Sequence, residues 1–166
     1  MIIGNMLSNI IMGEDIIIGN NVKIGKNVTI KDSCIIEDDV VLGDNVYIDF
    51  HTIIHSNVRI GEDTFIGSHS ILGEYVAEFY KERGGATYSL CIGKHSLIRS
   101  GAIIYSDNKF GDCLQTGHRV TIREKSKIGY HVRIGTLCDI QGHCEKQDYV
   151  NLHSNVHVGM NSVIKN

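Results

Sequence analysis

Large aliphatic residues recur at every sixth position along most of the chain. One series of these key residues runs from Met12 to Leu72, and a second, in a shifted phase, runs from Ile92 to Ile164. A smaller residue usually stands two positions before each key residue, and residues two apart share one face of a strand. An amphipathic helix would need spacings of three and four instead. The pattern therefore predicts an all-β solenoid whose short strands pair in parallel from coil to coil.

The turns and the exceptions within the repeat carry further predictions. Glycine follows seven of the eleven key residues of the first series, and we expect it to supply positive φ angles there. The second series loses its aliphatic residue at Thr116 and Lys146. An inward lysine would bury an unpaired charge, so we predict a local bulge at Lys146. Cys138 and Cys144 take small inward positions, which predicts inert core thiols.

Residues 74–91 interrupt the repeat, because Leu72 and the next key residue, Ile92, are 20 positions apart. The segment carries four of the eleven aromatic residues of the chain: Tyr75, Phe79, Tyr80 and Tyr88. Long excursions from a compact domain are typically functional, so we expect a loop that serves a site or packs between subunits, with a solvated flap as the alternative. We predict one domain over 1–166, composed of a first repeat block (1–73), the excursion (74–91) and a second block (92–166).

Composition excludes several classes of function. The chain has 166 residues and no stretch of 18 apolar residues, which excludes a membrane-spanning helix. It shows no secretory signal, and its five cysteines form no C-x-x-C pair, so we expect a cytoplasmic protein. The net charge of −3 gives no support for nucleic-acid binding. The excess of basic residues lies beyond residue 73, where an anionic small molecule would bind best.

The segment Gln115–Glu124, with the sequence QTGHRVTIRE, is the strongest candidate for chemistry. It contains His118, and the repeat gives up its aliphatic residue at Thr116 just before it. Local departures from a packing rule are expected at functional sites. A second histidine pattern, His51 and His55, has the spacing of metal ligands on a helix, but a solenoid turn does not bring them together. We therefore expect structural or surface roles for this pair.

The repeat as a whole resembles the hexapeptide-repeat transferases. The resemblance implies a left-handed parallel β-helix with three hexapeptides per triangular coil, about eight coils in all, in which residues 18 apart stack on each other. The segment 115–124 also resembles a signature of members that acylate amino groups on nucleotide-linked sugars. Ser100–Tyr105 and Gly142–His143 are similar to that subgroup as well.

The resemblance implies an acyl transfer between two solenoids of a homotrimer. An acyl group, in the simplest case acetyl from acetyl-CoA, would pass to an amino or hydroxyl group of a sugar or nucleotide-linked amino sugar, with no metal. His118 would be the general base, because neutral imidazole accepts protons near neutral pH; His143 and His157 are alternative bases. Substrate or coenzyme contacts are assigned to Tyr105, Gln115, Arg123, Glu124, His143 and His157. Nearby basic residues, among them Lys109, Arg119 and Lys127, could meet phosphates.

Two other functions remain open from the sequence. The chain stops at Asn166 within the repeat, where the resembling enzymes continue with further coils, so a fragment or a non-catalytic scaffold is one alternative. The other is a zinc enzyme like the γ-class carbonic anhydrases, with His118, His153 and His157 as ligands from neighbouring subunits. The five-residue histidine spacing of that family is not matched by His153 and His157.

Overall fold

The computed structural model describes residues 2–3, 9–82 and 88–165. Within these ranges it contains one helix, α1 (Ala77–Glu82), and 25 short strands. The strands are β1 (Ile2–Ile3), β2 (Ile11–Met12), β3 (Ile17–Ile18), β4 (Lys23–Ile24), β5 (Thr29–Ile30), β6 (Ile35–Ile36), β7 (Val41–Leu42), β8 (Tyr47–Ile48), β9 (Ile53–Ile54), β10 (Val58–Ile60), β11 (Phe65–Ile66), β12 (Ile71–Glu74), β13 (Leu90–Ile92), β14 (Leu97–Ile98), β15 (Ile103–Tyr105), β16 (Asn108–Phe110), β17 (Gln115–Thr116), β18 (Thr121–Ile122), β19 (Lys127–Ile128), β20 (Arg133–Ile134), β21 (Asp139–Ile140), β22 (Glu145–Lys146), β23 (Asn151–Leu152), β24 (His157–Val158) and β25 (Val163–Ile164).

The strands form three parallel sheets, one on each side of a triangular solenoid. Sheet 1 has the order β1-β4-β7-β10-β13-β16-β19-β22-β25, sheet 2 the order β2-β5-β8-β11-β14-β17-β20-β23, and sheet 3 the order β3-β6-β9-β12-β15-β18-β21-β24. Each strand pairs with the strand one coil later, as in the pairing of Ile30 with Ile48. The predicted all-β solenoid of about eight coils is confirmed.

A column of aliphatic side chains fills the interior. The key residues and their smaller companions point inward together, so that Val28 and Ile30 are both fully buried. The pattern weakens at the first described coil, where Ile18 is only partly buried and Met12 is 40% exposed. Cys138 and Cys144 are buried in the column, as predicted.

The glycines after the key residues work differently from the prediction. Of the seven, only Gly73 has a positive φ angle, of 81°. The other six leave room for the next coil, since a Cβ added at Gly61 would lie 2.5 Å from the backbone nitrogen of Lys94. Positive φ falls two residues later in each turn, where asparagine and aspartate are frequent, as at Asn21 with a φ of 55°. These residues tolerate the left-handed region better than most. Gly73 and Gly101 are the only glycines of positive φ in the described chain.

The bulge predicted at Lys146 is wrong. β22 pairs in regular register on both sides, with Lys146 opposite Ile128 and Ile164. The lysine side chain points into the core and is only 2% exposed, and its Nζ has no hydrogen-bond partner among the described residues. Burial lowers the pKa of Lys146 from 10.5 to about 8. The long aliphatic stem fills the space of an isoleucine, so the strand stays regular and only the amine is penalised.

The excursion leaves the solenoid after a register shift between Leu72 and Glu74 in β12. Helix α1 follows, anchored by the buried side chain of Val76 and by a stack of the Tyr75 and Phe79 rings with centroids 4.0 Å apart. Residues 83–87 of the predicted excursion lie outside the described residues. No helix among the described residues is both long and apolar enough to cross a membrane.

Candidate functional site

His118 lies on one edge of the prism, which we call the His118 edge: the turns between sheets 2 and 3. A groove of about 570 Å³ runs along this edge and is lined by Ser68, His69, Ser100, Gly101, His118, Arg119, Thr136 and Leu137. The side chain of His118 is exposed. The ring makes no hydrogen bond with a described residue, so it is free to meet a ligand in the groove.

The departures from the repeat around His118 have local structural reasons. Thr116 points inward and is 1% exposed, and its Oγ1 accepts a hydrogen bond from the Arg99 amide at 3.0 Å. Gly117 is needed because a Cβ there would overlap the backbone nitrogen of Thr136. The His118 amide donates to Thr136 Oγ1 at 3.2 Å, and the His118 carbonyl accepts from the Leu137 amide at 2.9 Å. The coils on either side therefore fix the backbone that presents the ring.

A second group of predicted residues lies on a different edge, between sheets 3 and 1, which we call the excursion edge because the excursion leaves from it. Arg123 holds Glu124 in a two-bond pair, with Nε to Oε2 at 2.9 Å and Nη2 to Oε1 at 3.0 Å. The guanidinium lies 4.8 Å from the centre of the Tyr105 ring. Lys125 extends the group to the excursion through Glu78, 3.9 Å away.

Arg123 and Glu124 each stabilise the charged form of the other. Burial by itself raises the pKa of Glu124, but the hydrogen bonds from Arg123, a backbone hydrogen bond and the charge of Arg123 together leave that pKa below its ordinary value. The same hydrogen bonds raise the pKa of Arg123. Both groups are therefore charged at neutral pH, and Glu124 is already engaged by its own neighbour. An ion pair of this kind suits binding and positioning better than proton transfer.

The remaining predicted residues are spread over the surface. His143 follows Glu124 by one coil on the excursion edge, where its amide donates to the Glu124 carbonyl at 3.0 Å. His157 lies on the outer face of sheet 3, with Nδ1 3.0 Å from Asp139 Oδ2. Gln115 is exposed on sheet 2. The structure thus brings Tyr105, Arg123 and Glu124 together and leaves His118 apart from them, on the opposite edge of sheet 3.

Sequence reasoning missed a more enclosed arrangement. Glu37, His55 and Tyr75 meet on the excursion edge beside a small cavity under the excursion. The stacking of residues 18 apart could have found half of it, because Glu37 precedes His55 by 18 positions. The contribution of Tyr75 comes from outside the repeat and has no such signal.

The metal alternative gains no site within one chain. The described residues contain one group of three side chains with ligand atoms within 4.8 Å of one another, Glu62, Asp63 and His95, and all three are exposed. Exposed acidic groups of this kind are common without a metal. His118, His153 and His157 do not form such a group, so a zinc site built from them would require another subunit.

Comparison with known proteins supports the fold. The family described as "GMPPB C-terminal domain" matches residues 5–80. No curated protein sequence matches the chain. The UDP-N-acetylglucosamine acyltransferase from Campylobacter jejuni is a similar solved structure, with a TM-score of 0.74 and 19% identity over 93% of this chain and 65% of that one.

Two further solved structures are similar. The UDP-N-acetylglucosamine acyltransferase of Francisella novicida has a TM-score of 0.59 and 24% identity over 88% of this chain and 58% of its own. The UDP-N-acetylglucosamine O-acyltransferase of Moraxella catarrhalis RH4 has a TM-score of 0.61 and 19% identity over 94% of this chain and 60% of its own. The chain thus spans about three fifths of the length of these enzymes. These similarities support the left-handed hexapeptide-repeat helix that the sequence resemblance implies, and the chain is a hexapeptide-repeat β-solenoid with the fold of the UDP-N-acetylglucosamine acyltransferases.

Proposed function

We propose that the chain is an acyltransferase that moves an acyl group from coenzyme A to a nucleotide-linked sugar, with His118 as general base. The observation that carries the proposal is the unpartnered imidazole of His118 in an open groove, on a backbone that the neighbouring coils hold in place. The fold similarity to sugar-nucleotide acyltransferases supports the same reaction class. The sequence motif that contains His118 supports transfer to an amino group.

The groove can supply the chemistry of this transfer. An acceptor amine or hydroxyl loses a proton to a neutral imidazole within hydrogen-bond reach as it attacks the thioester carbonyl. The C–S bond of the tetrahedral intermediate then breaks, and the coenzyme A thiolate leaves and takes the proton from the imidazolium. The amides of His118 and Arg119 are already engaged by the neighbouring coils. Negative charge on the thioester oxygen would therefore be met by a side chain, and Arg119 lines the same groove.

Two lysines that could contact phosphate groups of the donor or acceptor lie side by side on the outer face of sheet 1. Lys109 and Lys127 pair in register on its outer face, in a groove of about 730 Å³ that also contains Tyr130 and Tyr149. Asp112, Glu145 and Asp148 line the same groove, and Glu145 pairs in register with Lys127, so the charge of the groove does not by itself favour an anion. In a homotrimer, which we propose from the resemblance, a neighbouring solenoid would cover the groove of His118.

The test is turnover of acetyl-CoA with UDP-linked amino sugars as acceptors. His118→Ala should lower turnover by about 10²–10⁴, the usual contribution of a general base. His95→Ala is the control, because His95 is an exposed turn histidine that lines neither the His118 groove nor the sheet 1 groove, and it should leave turnover unchanged. Equal turnover in the wild type and His118→Ala would remove His118 from the mechanism. If the wild type shows neither turnover nor coenzyme A binding by calorimetry, a scaffold role is favoured instead.

A further inference from the structure

The described part of the excursion packs on the excursion edge and borders a partly open cavity of about 220 Å³. The first wall of the cavity comes from the turns of Glu37 and of 55–57, and the second from the excursion residues Tyr75, Val76, Phe79 and Tyr88. The cavity shares no lining residue with the groove of His118. It is therefore a separate place on the molecule, and the proposed acyl transfer does not use it.

The carboxylate of Glu37 organises the cavity. Its Oε2 accepts hydrogen bonds from the amide of Ser56 at 3.0 Å and from the Ser56 hydroxyl at 3.2 Å. Its Oε1 accepts from the Tyr75 hydroxyl at 3.4 Å and lies 3.1 Å from His55 Nδ1. Burial, followed by the charge of Glu37, raises the pKa of Tyr75, so this phenol stays protonated and donates. With both oxygens engaged, Glu37 acts on the groups around it and not on a ligand.

His55 is the group that Glu37 positions. Its ring is 12% exposed and lies against the Tyr75 ring, with centroids 4.3 Å apart, while Phe79 stacks on the other side of Tyr75. Nδ1 is sealed from solvent beside the carboxylate, although the angle there is too poor for a hydrogen bond. Although the two groups make no hydrogen bond, the negative charge of a carboxylate 3.1 Å away favours a proton on that nitrogen. Nε2, which makes no hydrogen bond with a described residue, is then an acceptor available to a ligand.

The size of the cavity and the charges around it define which ligands can bind there. The volume equals that of about seven water molecules at roughly 30 Å³ each, enough for a single ring with a short substituent. Val76 and the aromatic side chains supply apolar walls. Among the described residues, no lysine or arginine lines the cavity; the carboxylate of Glu37 lines it, and that of Glu74 accepts a hydrogen bond from the amide of the lining residue Tyr75. A ligand with a negative charge is therefore disfavoured, whereas a neutral or cationic ring is accepted.

We propose that this cavity is a second small-molecule site, which binds a neutral or cationic single-ring compound that donates a hydrogen bond to His55 Nε2. The imidazole, the carboxylate beside it and the aromatic walls line a partly open pocket that is smaller than the groove of His118. The site is independent of the acyl transfer, and its ligand is defined by one ring and one donor group.

Three probes with the same ring test the proposal: benzyl alcohol, benzylamine and benzoate, titrated into the full chain by calorimetry and ligand-observed NMR. The alcohol and the amine should bind, and benzoate should bind at least tenfold more weakly. His55→Phe keeps a ring against Tyr75 but removes the acceptor, so it should weaken both positive probes about tenfold. His118→Ala is the control and should bind all three probes as the wild type does.

Equal binding of benzoate and benzyl alcohol, unchanged binding in His55→Phe, or no binding of any probe would each overturn the proposal. A measurement on the wild type keeps the test valid if the variant does not fold. Nitrogen-15 NMR of the His55 ring should show the proton on Nδ1, and benzyl alcohol should shift the Nε2 resonance. A proton on Nε2, or an Nε2 resonance that ignores the probe, contradicts the proposal in the same way.

Discussion

Two edges of the same prism carry histidines in different environments. On the His118 edge the turns are held by backbone hydrogen bonds between coils and by a glycine in close contact, and the imidazole stands exposed in an open groove. On the excursion edge the turns are joined by backbone hydrogen bonds as well, such as the one from the Asn57 amide to the Asp38 carbonyl at 3.1 Å, but the imidazole of His55 sits between a carboxylate and an aromatic ring. The repeat thus fixes where a histidine is placed, and the excursion decides how far it is enclosed.

The contrast separates two ways to make a site on a solenoid. The His118 edge offers a broad open groove on the surface. The excursion edge offers a smaller, partly open cavity beside the excursion. The first arrangement suits a large substrate, and the second suits a small one.

The largest expected effect separates the two histidines by activity. If the His118 edge carries the acyl transfer, His118→Ala lowers turnover by about 10²–10⁴ while His55→Phe changes it less than about threefold. The measurement is initial-rate kinetics with acetyl-CoA and a UDP-linked amino sugar. A loss of turnover in His55→Phe that matches the loss in His118→Ala would break the comparison, because both edges would then serve one reaction.

The next largest effect is expected from a substitution in the core, and it should change the overall stability without altering the site on either edge. Lys146→Met removes the buried amine. At neutral pH the free energy of unfolding of the variant should therefore exceed that of the wild type by about 3 kcal/mol, which corresponds to the lowering of the pKa of Lys146 from 10.5 to about 8. Chemical denaturation at pH 7 measures it. The cavity of the excursion edge and the groove of His118 should keep their ligands, because Lys146 lines neither of them.

The stability cost of the buried Lys146 amine should depend on pH. Between pH 8 and 10.5 the folded protein has released the Lys146 proton while the unfolded chain still holds it, so the contribution of Lys146 to stability rises with pH. Below pH 8 the penalty is present in full. The advantage of Lys146→Met should therefore shrink as pH rises from 8 to 10.5. An advantage that stays constant over that range would contradict the burial of the amine.

Glycine substitutions test how the His118 edge is held. A Cβ at Gly117 would overlap backbone of the next coil, so Gly117→Ala should lower the free energy of unfolding by about 2 kcal/mol. Gly159 lies on the excursion edge with nothing within 4 Å of its added Cβ, and Gly159→Ala is the matched control with an expected change within about 0.5 kcal/mol. Similar losses in both variants, measured by thermal unfolding, would show that close coil contact is not what fixes the His118 backbone.

A carboxylate substitution tests the excursion edge in the same way. Glu37→Gln weakens the hydrogen bonds from Ser56 and Tyr75, so it should destabilise the protein by about 1–2 kcal/mol. The control is Glu62→Gln, because Glu62 pairs with Lys94 at 3.5 Å on an exposed surface and such pairs contribute about 0–1 kcal/mol. Hydrogen exchange should show the loss in Glu37→Gln concentrated in the backbone of the excursion. Exchange that rises evenly over all coils would mean that Glu37 does not hold the excursion in place.

The regular part of this molecule was predictable because it is local and periodic. A spacing of six placed Val28 and Ile30 inside, and the 18-residue coil could also have paired Glu37 with His55. The role of the glycines was misjudged because the contact that requires them is made with the next coil and not within the turn. The prediction of a bulge at Lys146 is wrong because the aliphatic stem of the lysine fits the core, although its charge does not.

The remainder depends on contacts that the repeat does not encode. Tyr75 reaches Glu37 from 38 positions away, after the chain has left the solenoid. Arg123 pairs with its own neighbour, Glu124, so a residue proposed for a substrate is partly occupied by a local ion pair. Side-chain partners of this kind are chosen by position in space, and a hexapeptide pattern carries no information about them.

The smallest effect concerns backbone conformation on the His118 edge, and it has a reciprocal test. Leu137 takes a φ of 59° and Asn155, one coil later, takes 60° at the equivalent turn position. Residues other than glycine, asparagine and aspartate are penalised in this region, so Leu137→Asn should stabilise the protein by about 1 kcal/mol and Asn155→Leu should destabilise it by a similar amount. Both side chains are exposed, so lost packing contributes little. Paired denaturation curves measure the two changes, and equal signs would mean that side-chain contacts, and not backbone conformation, set the stability of this edge.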